Sequence, residues 1–353
     1  MYIFAGVIDN IFKMKAIYLV RNGESREAFE IREAPIPVAG RGEVVVKVEA
    51  SGLNYADVMA RRGLYKAAPP KPSILGYDVA GTVHSIGPDT PGFKVGQRVA
   101  AMSRFGGYAE YALTQAGAII PLPDSMEPAL ATSLATQAST AVYSSCFATR
   151  LYQGDRVLIH AAAGGVGTIL VQLAKDKGCI VFGSASKSKH GYLKDIGVDF
   201  PIDSHSGNAS EEVFQLLAGK KIDVVFDNIG GQSFKKGLQM LGPGGRIVAY
   251  GAAAQNKGNK SSQFNNIRVG IGFGFHSPIG LIVKSQSILG VNMLALADHK
   301  PMVLKEVMDE VGRLTSQGII RPTLGKAFPA NQIAEAHDFL ESRQSTGKIA
   351  LLW

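Results

Sequence analysis

The chain has 353 residues, of which 46% are hydrophobic and 19% are charged, as is typical of a folded enzyme and not of a disordered chain. Lysines and arginines (37) outnumber aspartates and glutamates (29), but the excess is dispersed along the chain, which disfavours nucleic-acid binding. No apolar run reaches the roughly 18 residues of a membrane span, and 2 cysteines are too few for a four-cysteine zinc site.

Residues 1–13 precede the first predicted strand, which begins at Met14. This segment carries Asp9 and has neither a basic start nor a clear small-residue cleavage site, so a signal peptide is not expected. We expect an N-terminal extension instead. Cys146 and Cys179 lie in apolar segments, which predicts buried free thiols and a reducing, cytoplasmic compartment.

The first part of the chain is predicted to be rich in β-structure. Runs of β-branched residues, bounded by Gly and Pro turns, predict strands over residues 43–51, 79–86 and 98–102. Residues 126–152 are rich in Ala, Ser and Thr and are expected to form a helix.

From Arg156 onward, predicted strands and helices alternate. The strands cover residues 156–162, 180–184, 222–227 and 246–251, and the clearest helix covers residues 165–177. Short, continuously apolar strands indicate a parallel sheet with both faces covered, so an α/β fold is expected for this part. The chain is predicted to end with helices over residues 300–317 and 331–343 and a strand over residues 348–352.

A glycine-rich run lies between the first predicted strand of this part and the helix that follows. Ala162, Gly164 and Gly167 fall at the three glycine positions of the dinucleotide fingerprint, with Ala in the first. Such a turn lets the backbone approach a pyrophosphate, which binds at the N-terminus of the helix. Three small residues recur by chance, so the match needs support from its surroundings.

The residues about twenty positions further on bear on which dinucleotide binds. NAD sites normally place Asp or Glu there, to bond the ribose 2′-hydroxyl. Here Ser184, Ser186, Lys187 and Lys189 occupy the region, and no acid occurs until Asp195. Hydroxyl and ammonium groups suit a 2′-phosphate, so NADPH is favoured over NADH. The alternative is that the two lysines are only solvated residues at a helix start.

Two further segments follow predicted strands, at residues 227–231 and 250–254, and are expected to flank a nucleotide at the carboxyl ends of the sheet. Each alone is more often a simple turn. Residues 256–285 are rich in Gly, Asn, Lys and Ser and contain the apolar patch Ile271–Phe275. They are expected to form a surface loop with a short helix; the alternatives are a substrate lid or a membrane-contacting patch.

No metal site is predicted, because the 7 histidines are scattered without short ligand spacing. No nucleophile elbow occurs either, which leaves hydrolase chemistry without support.

Several motifs, in the same order along the chain, resemble those of one known family. They are Gly52–Tyr65, Leu75–Gly81, Gly96–Ala100, the glycine-rich run at residues 161–167 and Ser345–Ile349. From Met14 onward the chain resembles the zinc-free quinone oxidoreductase branch of the medium-chain dehydrogenase/reductase superfamily. Residues 184–190, 201–203 and the long loop after Tyr250 are most similar to its VAT-1-like subgroup.

The resemblance implies two domains, a GroES-like β-rich catalytic domain and a Rossmann domain with a doubly wound parallel sheet. Residues 14–137 would form the first part of the catalytic domain, 138–290 the NADP-binding domain and 291–353 the last part of the catalytic domain. A homodimer is implied as well, with residues 287–292 as an edge strand that could pair between subunits.

The resemblance also assigns roles to individual positions. Asn54 and Tyr65 would be catalytic, as hydrogen-bond donors to the reacting carbonyl. Residues 163–166 would contact the pyrophosphate of NADPH. The positions assigned to cofactor binding are Asn54, Thr140, Ala163, Gly164, Gly165, Val166, Ser184, Ser186, Lys189, Asn228, Tyr250, Gly251, Asn292 and Lys348.

Two departures from related enzymes qualify these roles. The zinc-dependent members of the superfamily place a cysteine and a histidine ligand where this chain has Asn54 and Tyr77, which cannot replace thiolate and imidazole at zinc. Ser204 stands where quinone reductases commonly have a tyrosine near the ribose phosphate, which weakens the NADP assignment.

Two functions remain open at the level of sequence. The first is zinc-independent hydride transfer from NADPH to a quinone or an α,β-unsaturated carbonyl, with Tyr65 as proton or hydrogen-bond donor or, alternatively, as a packing residue. The second is a nucleotide-binding protein that acts mainly through membrane or protein contact, with Lys257, Lys260 and Arg268 beside the apolar patch.

Overall fold

The computed structural model describes residues 13–252 and 272–353. The chain folds into two compact units. The first comprises residues 1–136, 300–309 and 324–353, and the second comprises residues 137–299 and 310–323. The domain boundaries expected from the sequence remain a prediction.

The strands of the described residues are β1 (Lys13–Leu19), β2 (Phe29–Pro35), β3 (Glu43–Leu53), β4 (Ser73–Ile74), β5 (Asp78–Ile86), β6 (Arg98–Met102), β7 (Tyr111–Gln115), β8 (Ile119–Pro121), β9 (Arg156–Ile159), β10 (Ile180–Ala185), β11 (Phe200–Asp203), β12 (Ile222–Asp227), β13 (Leu241–Ala249), β14 (Ser287–Gly290), β15 (Leu324–Pro329) and β16 (Lys348–Leu352).

The α-helices of the described residues are α1 (Ser25–Ala28), α2 (Tyr55–Arg61), α3 (Pro128–Ala131), α4 (Ser139–Val142), α5 (Gly165–Asp176), α6 (His190–Asp195), α7 (Ala209–Leu217), α8 (Gln232–Met240), α9 (Pro278–Lys284), α10 (Met293–His299), α11 (Pro301–Ser316) and α12 (Ile333–Glu341). None of these helices is long and apolar enough to cross a membrane.

The first unit is built on a seven-stranded sheet in the order β15-β16-β3-β5-β6-β8, with β7 paired to β3. Alternating valines of β3 point into its core, where Val44, Val46 and Val48 pack against Val79 and Val99. Strand β3 pairs antiparallel with both β5 and β16. The residues at the end of β3 therefore lie beside those at the starts of β5 and β16.

The second unit is built on a six-stranded parallel sheet in the order β11-β10-β9-β12-β13-β14. Residues 157–159 and 224–226 in the two central strands are fully buried or nearly so, as the sequence predicts for a sheet covered on both faces. The chain builds outward from β9 to β11 and then returns to β12. This reversal makes a crevice at the carboxyl ends of β9 and β12, where open α/β sheets bind ligands.

The expected helix over residues 126–152 is wrong in detail. The structure divides it into α3, α4 and two π-helical turns at Leu134–Ala138 and Tyr143–Phe147. The hydroxyl of Thr132 donates to the carbonyl of Ala129 at 2.7 Å, and that of Ser133 donates to the carbonyl of Leu130 at 2.8 Å. Such local bonds compete with the backbone ladder and interrupt a regular helix.

A buried histidine lies in the first unit. His337 is fully buried, and its ring centroid is 4.7 Å from that of Phe29 and 6.1 Å from that of Tyr108. Neither ring nitrogen has a hydrogen-bond partner among the residues that the structure describes. Burial, with a smaller contribution from Arg61, lowers the pKa of His337 to about 3. Between about pH 3 and pH 6.5, the imidazole is therefore neutral in the folded protein but protonated in the unfolded chain.

We predict that His337→Leu stabilises the protein selectively at acidic pH. The unfolded chain binds a proton below about pH 6.5, whereas the folded state does so only near pH 3, so His337 makes stability fall as pH falls through this window. Relative to wild type, the variant should gain about 2 kcal/mol more at pH 5 than at pH 8 in denaturant unfolding. Replacing the exposed His299 by Leu is the control, and an equal gain there or a pH-independent gain at residue 337 would contradict the prediction.

Candidate functional site

The glycine-rich turn after β9 has the geometry that the fingerprint predicts. Strand β9 ends at Ile159, three residues earlier than expected, because Ala161 takes a left-handed conformation with φ of 50°. Gly164 is the N-cap of α5. A Cβ on Gly167 would lie 2.7 Å from the Cα of Ala162, too close for any side chain. The turn is thus closed tightly against the start of α5, whose first N–H groups point towards the carboxyl end of the sheet.

Polar side chains from the neighbouring strand ends surround this turn. His160 Nδ1 and Ser184 Oγ, at the ends of β9 and β10, are 3.1 Å apart. Asp227, the last residue of β12, accepts hydrogen bonds through Oδ1 from the N–H groups of Ile229 at 2.7 Å and Gly230 at 3.0 Å. Burial lowers the pKa of His160 and the charge of Asp227 opposes this, so the imidazole is mainly neutral near pH 7.

Several buried polar atoms around the turn have no hydrogen-bond partner among the described residues. They are Gln137 Oε1, His160 Nε2, His190 Nε2, Asp227 Oδ2, Asn228 Oδ1 and the Tyr250 hydroxyl. Buried polar atoms are normally paired, because leaving one unpaired costs about 1–3 kcal/mol. Here six such atoms lie close to the glycine-rich turn. One is beside Gly165, and the others are on the segments that follow β9, β10, β12 and β13. Together they indicate a site for a polar ligand.

The loop after β13 completes this group. The phenol of Tyr250 is buried, and burial followed by the nearby charge of Asp227 raises its pKa well above the usual range. The Tyr250 hydroxyl therefore keeps its proton at any physiological pH and can donate a hydrogen bond. A Cβ on Gly251 would lie 2.8 Å from the carbonyl oxygen of Asn228, so the two loops are in close contact.

The residues predicted to recognise a 2′-phosphate follow β10 in one short segment. The hydroxyls of Ser186 and Ser188 are 3.2 Å apart. Lys189 is half-buried, and burial lowers the pKa of its ammonium group. The segment from Ser184 to Lys189 contains no acidic side chain, so it can accommodate additional negative charge.

Two other predicted cofactor residues have visible structural roles. Thr140 is buried within α4. Asn292 is exposed, and its Oδ1 accepts a hydrogen bond from the N–H of Ala295 at 3.2 Å, so it caps α10.

The predicted catalytic Asn54 lies in a buried polar cluster of the first unit with Asp78 and Lys348. Asn54 Nδ2 donates to Asp78 Oδ2 at 2.7 Å, and Lys348 Nζ donates to Asn54 Oδ1 at 3.2 Å and to Asp78 Oδ2. Asp78 and Lys348 have no exposed surface, whereas Asn54 is 8% exposed. The sequence analysis assigned Lys348 to cofactor binding, whereas in the structure its ammonium group is hydrogen-bonded to Asn54 and Asp78.

A second layer of buried groups, missed by sequence reasoning, lies beside Asn54. Asp57 Oδ2 accepts the backbone N–H of Asn54 at 2.8 Å, and burial raises the pKa of this carboxyl group to about 7. Burial and the neighbouring Asp57 raise the pKa of Tyr108. Burial and the neighbouring Tyr65 likewise raise the pKa of Tyr77 well above its usual range.

Tyr65, the second predicted catalytic residue, lies near the cluster of Asn54, Asp78 and Lys348. Tyr65, half-buried just after α2, contacts Tyr77, which stands directly before Asp78. A signal was present in the sequence, since Asp57 and Asp78 are acidic residues inside otherwise apolar segments. Among the described residues, no three His, Cys, Asp or Glu side chains are grouped so that they could hold a metal ion.

The described part of the 256–285 segment exposes apolar side chains. Helix α9 carries Ile279, Ile282 and Val283, which are 71–79% exposed, and Phe275 is fully exposed before it. Most of the segment, including Lys257, Lys260 and Arg268, lies outside the described residues.

Comparison with protein families gives two matches. Residues 40–124 match the family described as "Alcohol dehydrogenase GroES-like domain", and residues 196–351 match the family described as "Zinc-binding dehydrogenase".

Two curated relatives align over almost the whole chain. The human "Synaptic vesicle membrane protein VAT-1 homolog" is 31% identical over 331 residues, covering 94% of this chain and 84% of that protein. The "Quinone oxidoreductase" of Pseudomonas aeruginosa is 33% identical over 328 residues, covering 92% of this chain and 96% of that protein.

Solved structures show the same likeness. A human VAT-1 homolog-like protein superposes with a TM-score of 0.83 at 25% identity, covering 97% of this chain and 99% of that chain. A mycobacterial protein in complex with NADPH superposes with a TM-score of 0.81 at 27% identity, covering 96% of this chain and 100% of that chain.

We predict that Gly167→Ala disrupts the turn at the start of α5. The added Cβ meets backbone atoms that cannot rotate away, so the substitution should destabilise the protein by about 2 kcal/mol and weaken dinucleotide binding at least tenfold. Thermal unfolding and titration calorimetry with NADPH measure the two effects. Gly207→Ala is the matched control, since nothing lies within 4 Å of a Cβ at that position. Wild-type affinity in Gly167→Ala would show that the turn does not bind the cofactor.

Proposed function

Because this chain belongs to the medium-chain dehydrogenase/reductase superfamily, we propose that it is an NADPH-dependent reductase that transfers hydride to a quinone or an α,β-unsaturated carbonyl without zinc. The expected fold class, a GroES-like β-rich domain with a Rossmann domain, is confirmed. The observation that carries the proposal is the group of unpartnered buried polar atoms around the glycine-rich turn.

The donor set around the turn fits a dinucleotide. The N–H groups of residues 163–166 are proposed to bind the pyrophosphate at the start of α5. Asn228, Tyr250 and Gly251, on the loops after β12 and β13, are proposed to flank the ribose and nicotinamide. The unpaired Asn228 Oδ1 and the Tyr250 hydroxyl offer one acceptor and one donor for those groups.

The segment after β10 supports NADPH over NADH. A carboxylate at this position would repel a 2′-phosphate, and none is present from Ser184 to Lys189. The half-buried ammonium of Lys189 and the hydroxyls of Ser184 and Ser186 are the proposed partners of the phosphate oxygens.

The reduction needs one hydride and one proton for each acceptor molecule. Bound NADPH would supply the hydride, giving NADP⁺ and, after addition of the proton, a hydroquinone or a saturated carbonyl compound. The N–H of Asn54 and the hydroxyl of Tyr65 are proposed to donate hydrogen bonds to the acceptor oxygen, where negative charge develops. Tyr65 is also the proposed proton donor, and it lies close enough to Tyr77 to influence its pKa.

Oligomeric state is part of the same proposal. Within the described residues, β14 lies at the edge of the parallel sheet and pairs only with β13. Its free edge supports a homodimer in which the edge strands of two subunits pair.

Membrane or protein contact is the second candidate function. Exposed apolar patches commonly mark sites of protein or membrane contact. Such side chains occur here at Phe275, Ile279, Ile282 and Val283, and they favour this second function. In this case the nucleotide site would act as a sensor and no acceptor would be reduced.

We predict that Lys189→Ala selectively weakens NADPH binding. Loss of the ion pair with the 2′-phosphate should lower NADPH affinity about tenfold and leave NADH affinity unchanged. Titration calorimetry with each cofactor measures both. Lys194→Ala removes an exposed lysine of α6 and is the matched control. An equal loss of affinity for both cofactors would contradict 2′-phosphate recognition by Lys189.

We predict that the wild-type protein oxidises NADPH in the presence of a quinone or an enone and that Tyr65→Phe lowers kcat about tenfold to a hundredfold. The KM for NADPH should stay unchanged, because only the hydroxyl near the acceptor is removed. Steady-state NADPH oxidation with a panel of quinones, enals and enones is the measurement. Tyr152→Phe, at an exposed tyrosine, is the control.

Two results would count against this function. Unchanged turnover in Tyr65→Phe would make Tyr65 a packing residue and not a catalytic one. Tight NADPH binding without oxidation on any acceptor would favour the second candidate.

A further inference from the structure

Three strand ends bring Asn54, Asp78 and Lys348 together although they are far apart in sequence. Asn54 directly follows β3, and Asp78 and Lys348 are the first residues of β5 and β16. In the antiparallel registers, Asp78 pairs with Gly52 and Ile349 pairs with Leu53. The register of the three strands thus brings the three residues together at one end of these strands.

The hydrogen bonds determine how the Asn54 amide is oriented. Its Oδ1 accepts from the Lys348 ammonium at 3.2 Å, a bond that only the oxygen can make. Its Nδ2 uses one proton on Asp78 Oδ2 at 2.7 Å. An amide nitrogen has two protons, so one N–H remains for a ligand, and the small exposed fraction of Asn54 leaves the residue accessible.

Lys348 and Asp78 bind their other partners firmly. Asp78 Oδ1 accepts the backbone N–H of Thr136 at 2.8 Å, so both carboxylate oxygens are in use. A Cβ on Gly52 would lie 2.8 Å from Lys348 Nζ and 2.9 Å from the Cβ of Thr132. The absence of a side chain at position 52 therefore leaves the space that the end of the Lys348 side chain occupies beside Asn54.

A buried ion pair is not a sufficient reason for this arrangement. Desolvation of two charges commonly offsets their attraction, so an apolar pair of the same size would stabilise the sheet equally well. The Lys348–Asp78 pair is distinguished by its third member, an amide whose oxygen bonds to the cation and whose nitrogen bonds to the anion. The ammonium at the amide oxygen polarises the amide and makes its N–H groups stronger donors, and the bond to Asp78 fixes which of the two N–H groups is left for a ligand.

We infer that Lys348 and Asp78 are positioning residues that together orient Asn54, and that Lys348 strengthens the free N–H of Asn54 as the donor to the substrate carbonyl oxygen. This inference rests on the proposed reductase function, and it identifies Lys348 as the source of positive charge near the substrate oxygen. Lys348 acts through Asn54 and does not itself contact the substrate. The amide transmits part of the ammonium charge to the oxygen on which negative charge develops during hydride transfer.

The test removes both charges together, so that no unpaired charge is left buried. In the variant Asp78→Asn with Lys348→Met, we expect kcat to fall about tenfold while the KM for NADPH and the unfolding midpoint change little. The same pair of substitutions is then made in an Asn54→Ala background, where we expect less than about a twofold further loss, because the donor that Lys348 strengthens is already absent. Equal losses in both backgrounds would overturn the inference.

A second readout does not require turnover. 4-(Dimethylamino)cinnamaldehyde absorbs at longer wavelength when its carbonyl oxygen accepts a strong hydrogen bond. We expect a red shift on binding to the wild-type protein with NADP⁺, and a shift reduced to that of Asn54→Ala in the charge-free variant. An absent shift in wild type, or an equal shift in the charge-free variant, would overturn the inference even if quinones are reduced. If the red shift occurs and depends on Lys348, but no acceptor is reduced by NADPH, the proposed reductase function is contradicted and the inference about Lys348 is not.

Two further variants serve as a control and as an alternative to the charge-free variant. Lys175→Met with Asp199→Asn removes a half-exposed ion pair of 2.9 Å in the second unit by the same substitutions, and should change neither kcat nor the spectrum. If the charge-free variant fails to fold, Gly52→Ala displaces the Lys348 ammonium without removing a charge. It should give the same loss of kcat and of red shift, and wild-type values in this variant would contradict the inference.

Discussion

The structure depends on how closely backbone approaches backbone at the carboxyl end of β9. The Cβ-free Gly167 allows α5 to start directly above Ala162, and this places the N-terminus of the helix next to the ends of β10, β12 and β13. A larger residue there would push the helix away from the sheet. The polar groups of His160 and Asp227 would then no longer lie beside the N-terminus of α5. The chemistry proposed for the second unit is therefore a consequence of one steric constraint.

The first unit meets a different requirement, since it must hold a polar donor inside an apolar β-structure. Asn54, Asp78 and Lys348 satisfy one another by hydrogen bonds and by complementary charge, so each can be buried at tolerable cost. In the proposed reaction, a protein amide bonded to a cation would stabilise the negative charge that develops on the acceptor oxygen. The two units thus supply separate components of one proposed reaction, nucleotide binding and carbonyl polarisation.

Periodicity and turn residues predicted β12 of the parallel sheet and β16 of the first unit to the residue, and α5 to within one residue. They failed for residues 126–152, where Thr132 and Ser133 divert backbone hydrogen bonds, a competition that composition does not reveal. The Asp78–Lys348 contact was out of reach because it depends on the registers of three strands. Assigned roles in cofactor binding remain predictions.

The pairing of Asp78 with Lys348 also has a consequence for the order of folding. The two residues are 270 positions apart, and Asn54 precedes Lys348 by 294. During synthesis, the strands from β3 to β8 emerge long before β16, so the neighbours of Asp78 can already pair while its counter-charge Lys348 has not yet been made. The sheet of the first unit can bury this carboxylate favourably only after the second unit has been made. The late arrival of Lys348 thereby couples completion of the N-terminal part to synthesis of nearly the whole chain.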